Sequence, residues 1–174
     1  MGLRPGETLA VTGAAGAYGG YVVQLAKADG LWVIADASDV DEELVSSLGA
    51  DVVVARGDVV AARIRAADPD GVDGVADGAA LEDKIVPAIR DGGGLAVIHG
   101  WAGPAMRNIL LHRTSAHEYA HNQLALDRLR QQVEEGVLTL RVAGTFPAAR
   151  AADAHRKLEV GGVRGRLVLE FPIA

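Results

Sequence analysis

The sequence predicts an α/β fold in which a doubly wound parallel sheet carries helices on both faces. Between residues 8 and 98, five short apolar segments alternate with segments of helical periodicity, which is the pattern of repeated strand–helix–strand units. Hydrophobic residues make up 49% of the chain but aromatic residues only 4%, so the core must be mostly Val, Ala, Leu and Ile. Such a core is typical of parallel strands buried on both faces.

The elements follow from apolar runs rich in β-branched residues and from the glycine, proline and aspartate residues between them. The predicted strands are residues 9–11, 31–35, 51–54, 72–77 and 95–98. The first helix follows the turn at 13–19 and ends at Gly30, and further helices are predicted over 38–48, 59–67 and 81–90. Right-handed crossovers between these strands favour the doubly wound order.

Beyond residue 98 the alternation loosens. We expect a loop at 100–107, a short apolar piece at 108–111, an edge strand at 113–119, an amphipathic helix at 124–135, a sixth strand at 137–142, a last helix at 148–160 and a last strand at 165–171. The inward face of the amphipathic helix is predicted to consist of Leu124, Leu126, Leu129 and Val133.

The turn between the first strand and the first helix has the composition of a dinucleotide-binding turn. It reads Gly13, Ala14, Ala15, Gly16, Ala17, Tyr18, Gly19. Gly16 and Gly19 lack a Cβ, so the backbone can turn tightly and a diphosphate can come close. The amides that open the next helix have no helical partner and lie at its positive end, which suits an anion. The match to GxGxxG is partial and an ordinary turn is the alternative, but the flanking strand and helix favour dinucleotide binding.

Charge and composition exclude several other classes. The net charge of −6, with no basic block, argues against nucleic acid and anionic membranes as partners. The absence of cysteine excludes disulfides, thiolate chemistry and cysteine metal ligands. Residues 1–5 do not resemble a signal peptide and no apolar run is long enough to span a membrane, so we expect a cytoplasmic protein.

An ordered series of segments resembles one known family. The segments are PGETLAVTGAAGAYGGYVVQLAKADG (5–30), SLGADVVV (47–54), GVDGVADG (71–78), DGGGLAVIHG (91–100) and EEGVLTLRVAGTFPAARAADAHRKLEVGGVRGRLVLEF (134–171). Together they resemble the zinc-free quinone oxidoreductase branch of the medium-chain dehydrogenase/reductases. Extended short-chain reductases share the glycine pattern of residues 12–19 but need a Tyr-x-x-x-Lys pair, and none of Tyr18, Tyr21 and Tyr119 has a lysine four residues on.

The resemblance implies a division of the chain and an absent domain. Residues 1–143 would form a Rossmann-type dinucleotide-binding domain and residues 144–174 a helix–strand tail. Enzymes of this branch begin with a barrel-like substrate domain, whose sequence would precede Met1, and the tail packs on that domain. The apolar residues of the tail would then need cover from it: Leu158, Val160, Leu167, Leu169 and Phe171. We therefore expect a substrate domain, in cis or in trans, outside this sequence.

The residues after the second strand bear on the choice between NAD and NADP. Asp36 ends that strand, where an acid commonly hydrogen-bonds the adenosine ribose hydroxyls. Members of this branch that use NADP(H) usually place a serine and a basic residue next, but Ser38 is followed by four acidic residues within 39–43. Because these carboxylates would repel a 2′-phosphate, the sequence slightly favours NAD(H). NADP(H) stays open because Arg56 could reach the phosphate, and Asp36 and Ser38 could instead merely cap the next helix.

Two loops would complete the cofactor site. Asp77 and Gly78 end the fourth strand, and His99, Gly100 and Trp101 follow the fifth. The resemblance places both loops beside the nicotinamide ribose and ring. His99 replaces a residue that is usually small and could shuttle a proton near neutral pH, although a solvent-facing loop histidine is the commoner case. We predict no catalytic residue within this chain.

Residues 117–121 spell HExxH, which on a helix can bind zinc through its two histidines. Glu118 would be the general base, and Ser115 could cap such a helix. The resemblance instead places an extended edge strand here, in which His117 and His121 would lie roughly 13 Å apart. No third ligand is evident, so we predict no metal site. The same edge strand is expected to pair across a homodimer.

The sequence therefore predicts the NAD(P)(H)-binding domain of a quinone oxidoreductase-like reductase. The intact enzyme would pass hydride from the nicotinamide to a quinone or an α,β-unsaturated carbonyl, with the hydride chemistry supplied by the cofactor. Turnover is not expected from this chain alone, because substrate-side residues would belong to the absent domain. A non-catalytic cofactor-sensing or partner-binding module and an HExxH zinc hydrolase are the alternatives.

Overall fold

The computed structural model describes residues 1–98, 101, 103, 106–113 and 115–172. The chain forms two compact units, Met1–Leu138 and Thr139–Ala174, and each is described by itself. Within the described residues, no helix is both long and apolar enough to pass through a membrane.

The first unit is built on a sheet in which all described strands run parallel. The strands are β1 (Thr8–Thr12), β2 (Trp32–Ala37), β3 (Val52–Ala55), β4 (Val72–Asp77), β5 (Ile89–Val97) and β6 (Leu110–Arg113). Their order across the sheet is β3-β2-β1-β4-β5-β6. The direction of winding reverses between β1 and β4, so a crevice opens at the carboxyl ends of these two strands. This is the doubly wound, Rossmann-type arrangement that the sequence predicts.

The described helices of the first unit are α1 (Ala17–Ala28), α2 (Glu42–Ser47), α3 (Val60–Ala67), α4 (Ala116–Tyr119) and α5 (Gln123–Glu134). Of these, α1 and α3 pack on opposite faces of the sheet. Ala10 of β1 packs in the same cluster as Ile64 of α3, whereas Leu9 and Val11 pack with Val23 of α1. Because β1 is buried on both faces, its central residues 9–11 need apolar side chains, and this explains its continuous apolar run.

The predicted helix at 81–90 is wrong. The chain instead forms two short 3₁₀ turns, Glu82–Lys84 and Val86–Ala88, and β5 already begins at Ile89. Pro87 lacks the N–H that a helix would need at this position. Ala80 and Glu82 also have positive φ angles of 53° and 55°, which no α-helix contains. The apolar spacing of this segment reflects packing under the sheet rather than helical periodicity.

The predicted edge strand at 113–119 is wrong in position. The edge strand is β6, and Leu111 in it is aligned with Leu95 of β5. Residues 116–119 form the short helix α4, and Ser115 caps it by accepting a hydrogen bond from the Glu118 N–H at 3.5 Å. This hydrogen bond stabilises the helical conformation of residues 116–119 over the extended one, because it gives an acceptor to an N–H group at the start of the helix.

The predicted inward face of the amphipathic helix is also wrong. In α5, Leu124 is 85% exposed, Leu126 42% and Leu129 41%, while Val133 is half-buried. Asn122 caps the helix by accepting a hydrogen bond from the Ala125 N–H at 3.1 Å. Periodicity correctly placed these leucines on a helix, but it carries no information about what covers them.

The second unit contains β7 (Val142–Pro147), α6 (Ala151–Val160) and β8 (Arg166–Glu170). The strand predicted at 137–142 is wrong in position, since β7 begins only at Val142 and the N–H groups of Val137 and Leu138 instead donate to the Gln132 carbonyl at 2.8 and 3.1 Å. Strands β7 and β8 pair in parallel, with Phe146 aligned to Leu169. None of the five tail residues expected to need cover is buried, and Val160 is 88% exposed.

Candidate functional site

The turn after β1 is shaped by close backbone contacts that only glycine permits. A Cβ on Gly19 would lie 2.4 Å from the Gly13 carbonyl oxygen, and one on Gly13 would lie 3.0 Å from the carbonyl carbon of Gly78. Gly13 also has a φ of 66°. Gly16 is the N-cap of α1, its N–H donates to the Gly13 carbonyl at 3.0 Å, and its carbonyl accepts from Gly20. The Gly16 amide is thus used within the turn, contrary to the expectation that it stays open for an anion.

Asp36 holds this turn from the end of β2. Its Oδ1 accepts hydrogen bonds from the Gly13 N–H at 2.7 Å and from the Ala14 N–H at 3.3 Å, and the residue is only 6% exposed. Burial raises the pKa of this carboxyl above its ordinary value, although the two amides and the nearby Arg56 act in the opposite direction. The carboxylate ties the turn to the sheet rather than capping the helix that follows β2.

Asp77 organises the loop after β4 in the same way. Its Oδ1 accepts a hydrogen bond from the Thr12 hydroxyl at 2.6 Å, and its Oδ2 accepts from the Glu82 N–H at 2.8 Å. The Ala79 N–H in turn donates to the Thr12 hydroxyl at 3.2 Å. Thr12 therefore joins the ends of β1 and β4, a role that our sequence reasoning missed. A polar residue at the end of an apolar strand, directly before the glycine turn, was its signal.

Tyr18, in the turn after β1, contacts the loop after β4. A Cβ on Gly78 would lie 2.9 Å from Tyr18 Cδ1, so the half-buried ring rests directly on the Gly78 backbone. Tyr18 is the second residue of α1, and the first amides of a helix have no partner within it. The ring and the first turn of α1 thus lie at the mouth of the crevice between β1 and β4.

A cavity of about 330 Å³ lies on the other side of the turn, beyond β2. Its lining is Ala37, Ser38, Asp39, Val40, Ala55 and Arg56. The Ser38 hydroxyl donates to Asp41 Oδ2, and the Ser38 carbonyl accepts from the Asp41 N–H at 2.8 Å at the start of a 3₁₀ turn. Arg63 Nη1 donates to the Ala55 and Arg56 carbonyls at 2.7 and 3.0 Å. Ser38 and Arg56 therefore line the same cavity, together with the acidic Asp39.

Comparison with known proteins places the chain in a family. Residues 48–169, well over half of the sequence, match the family described as zinc-binding dehydrogenase. The chain belongs to this family. Within it, the predicted quinone oxidoreductase-like, zinc-free member of the medium-chain dehydrogenase/reductase superfamily is confirmed by the relatives that follow.

Several relatives of this dehydrogenase family align over almost the whole chain. The chloroplastic NADPH-dependent alkenal/one oxidoreductase of Arabidopsis thaliana is 33% identical over 172 residues, which are 97% of this chain and 41% of that protein. A mycobacterial structure complexed with NADPH has a TM-score of 0.84 at 26% identity, covering 96% of this chain and 57% of that one. A mycobacterial quinone oxidoreductase has a TM-score of 0.77 at 26% identity, covering 95% and 57%. The chain thus spans less than half of the plant relative and corresponds to its family's cofactor-binding domain.

The family's name raises the question of zinc. Within the described residues, no group of three or more His, Cys, Asp or Glu side chains could hold a metal ion. Of the HExxH residues, His117 and Glu118 lie on α4, which is one turn long, and both side chains are exposed. The described residues therefore do not fit a zinc site, and no chemical step is derived through zinc.

The loop after β5 would be the last part of a dehydrogenase cofactor site. His99 and Gly100 lie outside the described residues, so their predicted place beside the nicotinamide stays a prediction. Trp101 is half-buried and packs against the cluster that contains Leu95 and Val97 of β5. Of this loop, the structure describes a tryptophan packed against the sheet.

Proposed function

We propose that this chain is the NADP(H)-binding domain of a quinone oxidoreductase-like reductase. The observation that carries the proposal is the turn of residues 13–19, which Asp36 holds at the mouth of the crevice between β1 and β4. In open α/β sheets, this switch point is where dinucleotides bind. The first turn of α1 lies at that mouth, where the helix dipole favours the diphosphate.

The rest of the dinucleotide would extend to both sides of the turn. The adenosine half would lie towards the cavity that Ser38 and Arg56 line, and the nicotinamide half towards the loops after β4 and β5. The bound cofactor supplies the hydride. The chain itself binds and orients the dinucleotide, with Asp36 and Asp77 fixing the two loops from beneath.

NADP(H) is favoured over NAD(H), against the slight lean of the sequence. The plant relative is named for NADPH and a mycobacterial relative was solved with it. In this chain, Arg56 lines the cavity beyond β2, and the carboxylate of Asp41 is already engaged by Ser38. We infer that Arg56 pairs with the 2′-phosphate, since a guanidinium matches phosphate geometry and is always charged.

Reduction of a quinone or an α,β-unsaturated carbonyl would need a substrate domain outside this sequence. The exposure of Leu158 at 57%, Val160 at 88% and Phe171 at 74% in the second unit supports such a partner. The edge strand β6 supports a homodimer in addition, because within the described residues it pairs only with β5, and an unpaired strand edge favours association. A cofactor-sensing module without turnover is the second candidate, since the carboxylates that the structure brings to the turn, Asp36 and Asp77, are engaged by the protein's own N–H and hydroxyl groups.

Fluorescence titration of the chain with NADPH and NADH tests the proposal. We expect NADPH to bind more tightly, and Arg56→Ala to weaken NADPH by at least about tenfold while NADH is unaffected, because a charge-assisted hydrogen bond is lost. Arg128→Ala removes the same charge from the exposed face of α5 and should change neither affinity. Binding of neither cofactor would refute the domain assignment. Equal loss of both cofactors in Arg56→Ala would refute only the role of Arg56.

A second assay separates the reductase from the sensing module. The chain, with and without a candidate substrate domain, is mixed with NADPH and a quinone, and NADPH oxidation is followed. Oxidation that requires the added domain supports the reductase, whereas binding without oxidation in both mixtures supports the module.

A further inference from the structure

Two arginine side chains meet at one backbone carbonyl where strand β5 begins. Arg65 Nη1, on α3, donates to the Ile89 carbonyl at 3.5 Å, and Arg107 Nη1 donates to the same oxygen at 2.9 Å. The two nitrogens therefore lie less than about 6.5 Å apart. Two guanidinium groups at this distance repel each other, so a negatively charged group that contacts both would stabilise the pair.

Backbone contacts hold each of the two guanidinium groups in place. Gly71, directly before β4, has a φ of 89°, and a Cβ added to it would collide with Arg65 Nη1. Arg107 Nη2 donates to the Val86 carbonyl at 2.5 Å, and the Arg107 carbonyl accepts from the Gly92 N–H at 2.9 Å. Because both groups are already ordered, a ligand that binds them causes little further loss of side-chain entropy.

Most of the hydrogen-bond donors of Arg65 have no acceptor in the described part of the protein. A guanidinium group has five N–H donors. Among the described residues, Arg65 forms its one hydrogen bond with the Ile89 carbonyl and no ion pair. Asp68 and Asp70 lie in the turn after α3, but neither is within ion-pair distance of Arg65. The half-buried Arg65 can therefore donate several hydrogen bonds to a ligand.

The carboxylates that lie closest to the pair only partly neutralise it. Asp91 Oδ1 lies 3.3 Å from Arg107 Nη1, but the Asp91 side chain is 76% exposed, so this ion pair is weak. Asp73 is engaged elsewhere, since it accepts from Arg90 Nε at 2.6 Å and from the Thr8 N–H at 2.8 Å. The Arg107 side chain is 35% exposed, so an anion from solvent can reach it.

This arginine pair, Arg65 and Arg107, lies at the opposite end of the strands from the dinucleotide crevice. Ile89 is the first residue of β5 and Gly71 directly precedes β4, whereas the crevice opens at the carboxyl ends of β1 and β4. A six-residue strand such as β4 is roughly 15 to 20 Å long. An anion that binds to the arginine pair is therefore not a phosphate of the bound dinucleotide.

We propose that the arginine pair is a binding site for a phosphate-class oxyanion, such as the phosphate group of a small molecule. A planar guanidinium presents parallel N–H donors that match two oxygens of a phosphate, and a doubly charged anion offsets both positive charges. A carboxylate carries one charge and two oxygens, so it satisfies the pair less well. The proposal does not depend on the proposed function, because the two sites share no residue.

NMR titration of the 174-residue chain with inorganic phosphate tests the proposal, with sodium chloride holding the ionic strength constant. We expect the backbone amide signals of residues 89–91 to shift and to saturate. Phosphate that enters the dinucleotide site is reported separately by the amides of residues 13–19. In Arg65→Gln the Kd measured at residues 89–91 should rise by about tenfold, because charge-assisted hydrogen bonds are lost. Acetate should bind more weakly than phosphate.

Arg128→Gln is the matched control, since it removes the same charge from the exposed face of α5 and should leave the phosphate affinity unchanged. Arg65→Lys keeps the charge without the planar donors, so it should weaken phosphate binding less than Arg65→Gln does, and it decides the test if Arg65→Gln does not fold. Three results would overturn the proposal: no saturable shift at residues 89–91, an unchanged phosphate affinity in Arg65→Gln and Arg65→Lys, or acetate binding as tight as that of phosphate.

Discussion

At the scale of single residues, the buried carboxylate of Asp36 determines how the glycine turn is held. The Ala14 N–H is buried and the Gly13 N–H half-buried, and Asp36 accepts a hydrogen bond from each with the same carboxylate oxygen. Sequence reasoning placed this residue at the cofactor's ribose. Its first partner is the chain itself, which a sequence pattern does not reveal because the contact joins residues that are more than twenty positions apart.

Replacing Asp36 tests this role through stability. Asp36→Ala leaves one buried and one half-buried amide without this acceptor and should lower the free energy of unfolding by about 2 to 3 kcal/mol. Asp36→Asn keeps an acceptor oxygen in the same place and should cost about 1 kcal/mol or less at pH 7. Urea unfolding followed by circular dichroism measures both values. Equal losses of unfolding free energy in the two variants would show that the acceptor oxygen of residue 36 does not stabilise the turn.

The titration of Asp36 gives a second expectation, with a definite sign. Burial raises the pKa of its carboxyl in the folded protein, with a smaller contribution in the same direction from Asp77, so the folded state binds this proton more tightly than the unfolded state does. Its contribution to stability is therefore complete below about pH 4 and is lost as the pH rises through the raised pKa. Asparagine does not titrate. The stability of Asp36→Asn relative to the wild type should thus improve from pH 4 to pH 7, and a constant or falling difference would contradict the assignment.

At the scale of elements, a helix or strand could be predicted when the residues that determine it lie within its own segment. Strands β1 to β4 and helices α1 and α3 follow from apolar runs and end signals within their own segments. The helix predicted at 81–90 failed because Pro87 and the bond from the Glu82 amide to Asp77 overrode an apolar spacing. The prediction that the leucines of α5 face inward was wrong for a different reason. The helix is present, but its own sequence does not show which other element packs against it.

The same distinction applies to the candidate site. The glycine turn could be predicted because its composition is set by the backbone contacts within it. The close approach of Gly13 to Gly78 could not be predicted, since Gly78 lies in the loop after β4, far along the chain. Thr12 was missed for the same reason, because its partners Asp77 and Ala79 become neighbours only when β1 and β4 pair.

The edge strand β6 leads to a prediction about association. Leu110 is 61% exposed, and within the described residues β6 pairs only with β5. We expect a homodimer in sedimentation velocity experiments that Leu110→Lys shifts towards monomer, because a charge on an edge strand opposes edge-to-edge pairing. Val160→Lys changes an 88% exposed residue of the second unit and should leave this dimer intact. A monomeric wild type, or a dimer that persists in Leu110→Lys, would exclude this edge as the interface.

At the scale of the whole molecule, the two units differ in how much they can stabilise themselves. The first has two clusters of fully buried side chains on either side of its sheet. The second has fewer than about 40 residues, a size at which a chain rarely folds without additional support. Among its described hydrophobic residues, only Ala154 is buried. Within the described residues, few buried apolar side chains therefore protect the backbone hydrogen bonds between β7 and β8 from solvent.

Hydrogen exchange measured by mass spectrometry should reveal this difference. Amides of β7 and β8 are expected to exchange at least about a hundredfold faster than those of β1 and β4, because opening the second unit exposes little apolar surface and costs little free energy. NADPH should slow exchange around residues 13–19 without slowing it in β7 and β8. Addition of a substrate domain that covers Leu158 and Phe171 should slow exchange in the second unit. Equal protection of the two units in the isolated chain would mean that the second unit is stable without cover and needs no partner domain.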